Sequence, residues 1–257
     1  MTGANESTAE TRSERGEWEE LGRIDPLWAI LSDPEKHDGQ WDLDDFMASG
    51  RREATALMER ATALGYPSQR TAALDFGCGV GRVTQALATY FDRCVGVDVA
   101  VSMVERATEL ARDAANCSFV VNTADDLRMF GNGTFNFVYS SLVLQHVGSS
   151  AHARRYIAEF VRVLRPGGLG VFQVPSHIPL RYRLQPRRRL YRWLRRTGLP
   201  ATFLQRRLRL YPISMLAIAE TEVTGLLNAH GAMLISADAS VDKAFAIESR
   251  TYWFTLR

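Results

Sequence analysis

The sequence predicts an α/β protein built on a doubly wound, mostly parallel sheet. Three observations carry the prediction. Short apolar runs alternate with helical patterns over residues 72–237, a glycine-rich turn (Gly77-Cys78-Gly79-Val80-Gly81) follows the first run, and an acid, Asp98, closes the second. Such alternation calls for parallel strands joined by right-handed crossovers, with ligands at the strands' carboxyl ends.

Taken in order, residues 18–31 read as short helical turns broken at Pro26. Residues 43–64 read as a helix, because Phe46, Met47, Ala54, Leu57, Met58, Ala61 and Leu64 recur at helical spacing before Gly65 and Pro67 stop them. The core then alternates: strand 72–76, helix 80–90, strand 94–98, helix 101–115, strands 118–121 and 135–140, helix 151–164 and strand 168–174. Pro166, Gly167 and Gly168 mark a sharp turn before that last strand. Residues 176–217 interrupt the pattern, and a helix at 220–230 leads to strands at 232–237 and 252–256. With no helix between them, the seventh and last strand pairs antiparallel.

The glycines of the turn permit positive φ and close approach of a ligand to the backbone, at a helix start whose N–H groups are unpaired. A dinucleotide fingerprint needs a further glycine three places on, where this chain has Arg82 or Thr84, so a nicotinamide site is disfavoured. Asp98 stands where a doubly wound sheet sets a carboxylate against the two hydroxyls of a ribose; the alternative is a cap for the following helix.

At 257 residues, 46% hydrophobic and 23% charged, the chain has the size and balance of one large α/β domain with additions, expected over residues 18–257. Residues 1–17 are polar and read as a disordered tail. With no leader-like or membrane-spanning apolar run, the expected location is cytoplasmic. Cys78, Cys94 and Cys117 lack metal-ligand spacing and read as reduced packing residues, so no metal is expected, although Cys78 could line a ligand pocket.

The net charge of +2 hides an asymmetry. Eleven arginines and no acid lie between Arg181 and Arg209, so the rest of the chain is acidic on balance. Within this segment Leu190, Trp193 and Leu194 share one helical face. The plain reading is a cap whose apolar face packs inward while its arginines are solvated or pair with the acidic body. The functional readings are an entrance for an anionic acceptor, a membrane-surface contact, or nucleic acid. Lysine is confined to Lys36 and Lys243, so codon bias accounts for much of the arginine excess and nucleic acid is disfavoured.

The stretch Leu74-Asp75-Phe76-Gly77-Cys78-Gly79-Val80-Gly81 resembles the first motif of the class I, Rossmann-like S-adenosylmethionine (SAM) dependent methyltransferases, in their type 11/25-like small-molecule branch. Three further stretches match in order: NTADDL at 122–127, SSLVLQHV at 140–147 and FVRVLRPGGLGVF at 160–172. Thr123 and Asn136 depart from the acids common at those places. The resemblance implies SAM as cofactor, S-adenosylhomocysteine as product, and a small-molecule methyl acceptor.

It further implies that Asp75, Gly77, Cys78, Gly79 and Gly81 border the methionine end and that Asp98, Val99 and Met103 border the ribose. Ala124, Asp125, Asp126 and Leu127 fall to the adenine, and Ser140 and Gln145 to the post-strand segment. N-terminal helices over residues 18–66 would form a lid bringing Trp28, Trp41, Phe46 and Arg51 near the cofactor, and residues 176–217 would form a helical cap.

An O–H or N–H acceptor loses a proton on methylation, and histidine is the natural base. His146 and His177 follow the fourth and fifth strands at the carboxyl edge and are the candidates. His152 and His230 suit surface or capping roles, and His37 reaches the site only through the lid. The rival readings are a catalytically silent SAM-binding protein and an RNA or protein methyltransferase. A monomer and a homodimer both remain open.

Overall fold

The computed structural model describes residues 15–242 and 245–257. Most of the predicted tail, residues 1–14, lies outside the described residues; residues 15–17 are helical and open α1 (residues 15–24). Seven strands follow: β1 (Ala72–Phe76), β2 (Arg93–Asp98), β3 (Cys117–Val121), β4 (Phe135–Ser140), β5 (Leu164–His177), β6 (Ala232–Asp242) and β7 (Ile247–Leu256). They form one sheet in the order β3-β2-β1-β4-β5-β7-β6, parallel except that β7 runs antiparallel to both β5 and β6. The helices are α2 (Pro26–Ile30), α3 (Leu43–Ala63), α4 (Arg82–Leu87), α5 (Val101–Leu110), α6 (Ser150–Val163), α7 (Leu180–Leu184), α8 (Pro186–Arg196), α9 (Ala201–Arg206) and α10 (Glu220–Ala229).

β1 and β4 keep the predicted bounds, whereas several elements differ in length. α4 starts later than expected because Gly81, its N-cap, sits at φ +80°. β5 begins at Leu164, ahead of the predicted Pro-Gly-Gly turn. Phe135 pairs with Leu164 and Phe137 with Leu169, so the turn residues are taken up as a shift of register beside β4. Asn136, where an acid was the commoner expectation, is buried and accepts the Ala72 N–H on Oδ1 at 3.1 Å, which ties β4 to the start of β1.

Period-two alternation assigns the two faces of the sheet. Ala72, Leu74 and Phe76 of β1 join Val95 and Val97 of β2 in a core built against α6 and α10, through Ile157, Phe160, Val223 and Leu227. Ala73 of β1 lies in the opposite core, with Leu57 and Met58 of α3 and Val83 and Leu87 of α4. Asp75 has the parity of Ala73, so strand geometry turns it toward α4. Both faces are covered, which is why β1 is buried at all five positions.

A third cluster joins the N-terminal helices to the glycine loop: Leu21, Ala29 and Phe46 pack with Val80, Ala100 and Met103, and Tyr211 and Ile213 press against its edge. The segment between β5 and α10 has its own small core of Tyr191, Leu204 and Leu210. Here the predicted inner face of α8 is corrected. Leu194 packs on that core as expected, but Leu190 and Trp193 are 45% and 60% exposed, while Arg188 and Tyr191 face inward. The reason is a full set of acceptors: the Arg188 guanidinium donates to Pro212 O at 2.7 Å, Gln185 Oε1 at 3.1 Å and Glu17 Oε2 at 3.2 Å. A guanidinium so satisfied can be buried; an unpaired one cannot.

Candidate functional site

The strand order reverses between β1 and β4, and a cavity of about 560 Å³ opens at the carboxyl ends of the strands there. This is the crevice where open α/β sheets take ligands, and its size falls within the roughly 300–1,000 Å³ of small-molecule sites. Its walls come from the glycine loop, the ends of β2, β3 and β4, the N-terminal helices, and the segment after α9.

Asp98 holds the loop side together. Its Oδ2 accepts the Gly79 N–H at 2.9 Å and its Oδ1 the Ala100 N–H at 3.0 Å, and the Val99 N–H is a third backbone donor to the carboxylate. Burial raises its pKa, opposed by these backbone donors. The capping alternative is thus realised in part, since Ala100 precedes α5. A second acid helps there: Ser102 N–H donates to Glu19 Oε2 of α1 at 3.1 Å. Gly79 has φ +54°, and a Cβ on it would lie 2.4 Å from Ile30 Cδ1 of α2. Gly77, Cys78, Val99 and Met103 also line the cavity, whereas Gly81 does not. The Cys78 thiol is pushed well up by burial and by the charges of Asp98 and Asp75, which leaves it un-ionised and unsuited to attack.

Asp75 is buried, and the Thr84 hydroxyl donates to its Oδ2 at 2.6 Å. Burial pushes its pKa up to about 7; the Thr84 bond opposes this and Glu53 adds to it. Beside it, Arg82 Nη2 pairs with Glu53 Oε2 at 2.7 Å and the Tyr139 hydroxyl donates to Glu53 Oε1 at 2.5 Å. Asp75, Arg82, Glu53 and Tyr139 line the cavity. Motif reading missed Glu53, Thr84, Arg82 and Tyr139. The only signals were Glu53 one turn after Gly50 on α3, Arg82 and Thr84 just beyond the glycines, and Tyr139 on the parity of Phe137.

After β3, Ala124 and Asp125 line the cavity, and Asp126 and Leu127 do not. The Ala124 N–H is taken by Asn122 Oδ1 at 3.0 Å, and its carbonyl accepts the Tyr156 hydroxyl at 2.8 Å. Asp126 pairs with Arg128 at 3.1 Å, and Leu127 is fully buried in the core while its N–H donates to Glu159. His152, expected at the surface, is buried at the cavity wall with Nε2 3.5 Å from Asp125 Oδ2.

After β4, Gln145 and His146 line the cavity, while Ser140 is buried outside the lining and His177 is exposed at the far end of β5. His146 Nδ1–H donates to Ser214 O at 2.6 Å, so its Nε2 carries the lone pair and accepts the Gln145 amide at 3.0 Å. Burial, with Arg188 nearby, lowers its pKa to about 4 despite the Ser214 bond, and the ring is neutral. Trp18 stands 5.4 Å from it, ring to ring.

The lid residues that reach the cavity are Trp18, Ala29, Ile30, Ser32 and Glu53 rather than those expected. Phe46 is buried behind Arg82, Arg51 is exposed, and Trp28 packs on His37 and Tyr211; none of these, nor Trp41, lines the cavity. His37 joins the N-terminal region to the later segment through the Tyr211 hydroxyl and does not enter the cavity.

A sheet of this order with its last strand antiparallel, and a glycine loop and acid at its reversal point, is the Rossmann-like fold of the class I SAM-dependent methyltransferases. Residues 74–172 match the family model described as "Methyltransferase domain". The chain is 34% identical over 127 residues to the biotin biosynthesis bifunctional protein BioHC of Cellvibrio japonicus, covering 47% of this chain and 24% of that protein. It is 29% identical over 136 residues to nodulation protein S of Rhizobium tropici, covering 52% of this chain and 54% of that protein. The chain thus spans about half or less of these relatives' lengths. Among solved structures, magnesium protoporphyrin IX methyltransferase from Synechocystis PCC 6803 with bound SAH shares the fold at TM-score 0.63 and 17% identity, covering 96% of this chain and 100% of that one.

Proposed function

We propose that the chain transfers the methyl group of SAM to an O or N nucleophile of a small, neutral, largely apolar acceptor. The observation that carries the reading is the joint placement of Asp98, Gly79 and Asp75 on one cavity wall. The Asp98 carboxylate at the cavity wall suits a ribose hydroxyl, and Ala124's committed N–H leaves adenine recognition to Asp125. Asp75 and the adjoining Glu53–Arg82 pair suit an amino-acid end that carries both charges. Bound SAM supplies an electrophilic methyl group whose departing sulfur takes the bonding pair.

The chain's own part is to orient the reactants and exclude water. Trp18 and Ile30 cover the loop from the N-terminal side. Tyr182, Met215, Phe245 and Ile247 extend the cavity beyond the cofactor end with apolar surface. Arg15 and Arg82 are the basic residues of the lining among the described residues; the first donates to Thr123 O and the second pairs with Glu53. None of the arginines from Arg181 to Arg209 faces the cavity, which favours a neutral acceptor over an anionic one. His146, its tautomer fixed by Ser214, takes the nucleophile's proton on Nε2 once the Gln145 amide, which occupies that lone pair in this structure, turns to the substrate.

The test is incubation with methyl-labelled SAM and a metabolite extract, followed by mass spectrometry. A labelled, uncharged small molecule supports the reading. Cofactor binding without any labelled product would favour a catalytically silent SAM-binding protein, and labelled RNA or protein would reassign the acceptor class.

A further inference from the structure

α8 carries two separate sets of arginines. Arg188, Arg192 and Arg195 face α1, where Arg188 and Arg192 meet Glu17, and Arg195 meets Glu20 at 3.0 Å. On the opposite side Leu190 and Trp193 stand in solvent, flanked around the helix by Arg189 and Arg196 on one side and Arg187 on the other. Arg189 and Arg196 have no hydrogen-bond or ion-pair partner among the described residues, and no acid lies between Arg181 and Arg209. The same segment exposes Leu184 (52%), Phe203 (45%) and Leu208 (44%), with Arg183 and Arg207 likewise unpaired among the described residues. On α8 itself, two large apolar side chains exposed side by side among arginines mark a contact site.

We propose that the outward face of α8 docks on an anionic lipid bilayer surface. Leu190 and Trp193 enter the boundary between headgroups and acyl chains, and Arg187, Arg189 and Arg196 meet the lipid phosphates. Charge complementarity selects this occupant. A second copy of the chain would bring the same uncompensated cations to the contact. A nucleic acid would satisfy the arginines but leave Leu184, Leu190 and Leu208 without apolar partners, whereas a bilayer takes both kinds of group. An indole at the interface is also where tryptophan is enriched.

The test is flotation of the full chain with vesicles of phosphatidylcholine alone or mixed with phosphatidylglycerol, at low and high salt. The expected result is flotation with the anionic vesicles only, diminished by salt. Arg189→Gln with Arg196→Gln should weaken partitioning roughly 25-fold, about fivefold for each arginine. Leu190→Ser with Trp193→Ser should weaken it roughly tenfold or more and leave the salt dependence in place. S-adenosylhomocysteine titration and circular dichroism of the variants report retained folding, since the substituted side chains are exposed. Flotation with neither vesicle, or equally with both, overturns the proposal. So does salt-dependent binding of single-stranded RNA that ignores Leu190→Ser and Trp193→Ser, which would give the face to nucleic acid.

Discussion

Arg192 Nε donates to Glu17 Oε1 at 2.7 Å, joining α8 to α1 across 175 residues of sequence. Arg188 reaches the same carboxylate, and Tyr191 and Arg195 reach Glu20, so the helix bearing Trp18 is fastened over the cavity by the segment that follows β5. Glu17→Gln removes the carboxylate charge that Arg188 and Arg192 share. It should cost about 2 kcal/mol, a Tm drop of roughly 4–8 °C, and speed dissociation of bound cofactor. Calorimetric melting and stopped-flow release check both; an unchanged release rate would mean that α1 does not close the site.

Asp75 and His146 tie stability to pH in opposite directions. Asp75 titrates near 7 in the native state against an ordinary 3.8, so native protein holds a proton that unfolded chain has released, and its contribution falls as pH rises across that window. His146 titrates near 4 against an ordinary 6.5, so its contribution is present above 6.5 and is lost as pH falls toward 4. Between about pH 4 and 6.5 the two slopes oppose each other. Asp75→Asn should therefore make stability rise with pH, relative to the parent, by up to about 1.4 kcal/mol per unit, and His146→Gln should make it fall. Denaturant titrations at a series of pH values read the difference; parallel curves for parent and variants would refute it.

The kinetic role of His146 is separable from this. On the proposed role of Nε2 toward the acceptor, His146→Ala should lower kcat by at least roughly tenfold while S-adenosylhomocysteine binds as before. Equal kcat would remove it from the proton path. Since the ring is neutral throughout the physiological range, the parent's rate should show no limb near pH 6.5 from this group.

Two glycines in helices give a contrasting pair. A Cβ at Gly50 of α3 would lie 2.3 Å from Arg82 O, on the backbone that starts α4. Gly50→Ala should cost about 1–3 kcal/mol and weaken cofactor binding through the displaced Arg82–Glu53 pair. At Gly225 of α10 a Cβ meets nothing within 4 Å, and Gly225→Ala should add about 0.5–1 kcal/mol. Melting curves of the two variants test the packing of α3 on α4 directly.

Much of the fold was legible because alternation and parity are local. Asp98 at the end of β2 and the three glycines after β1 were found by spacing, and β1 and β4 by apolar runs bounded by polar turns. What escaped depended on partners distant in sequence. The inward face of α8 was misassigned because Arg188 is buried only by virtue of Glu17, Gln185 and the Pro212 carbonyl, none of which a helical wheel contains. His152 was placed at the surface because its polar neighbours conceal that this turn of α6 meets Asp125. Phe46 and Arg51 were set near the cofactor by resemblance alone. In the structure the turn of α3 facing the cavity is that of Glu53, fixed by Arg82 and Tyr139.

The central claim is that the unit formed by Asp98 and the glycine loop receives SAM, and isothermal calorimetry with S-adenosylhomocysteine tests it most directly. The parent should bind at one site per chain. Asp98→Ala removes the carboxylate proposed to meet the ribose and the brace on Gly79, and should weaken binding at least roughly a hundredfold. Gly79→Val, forced into positive φ against Ile30, should do the same. Undiminished binding in both variants, or none in the parent, would contradict the account.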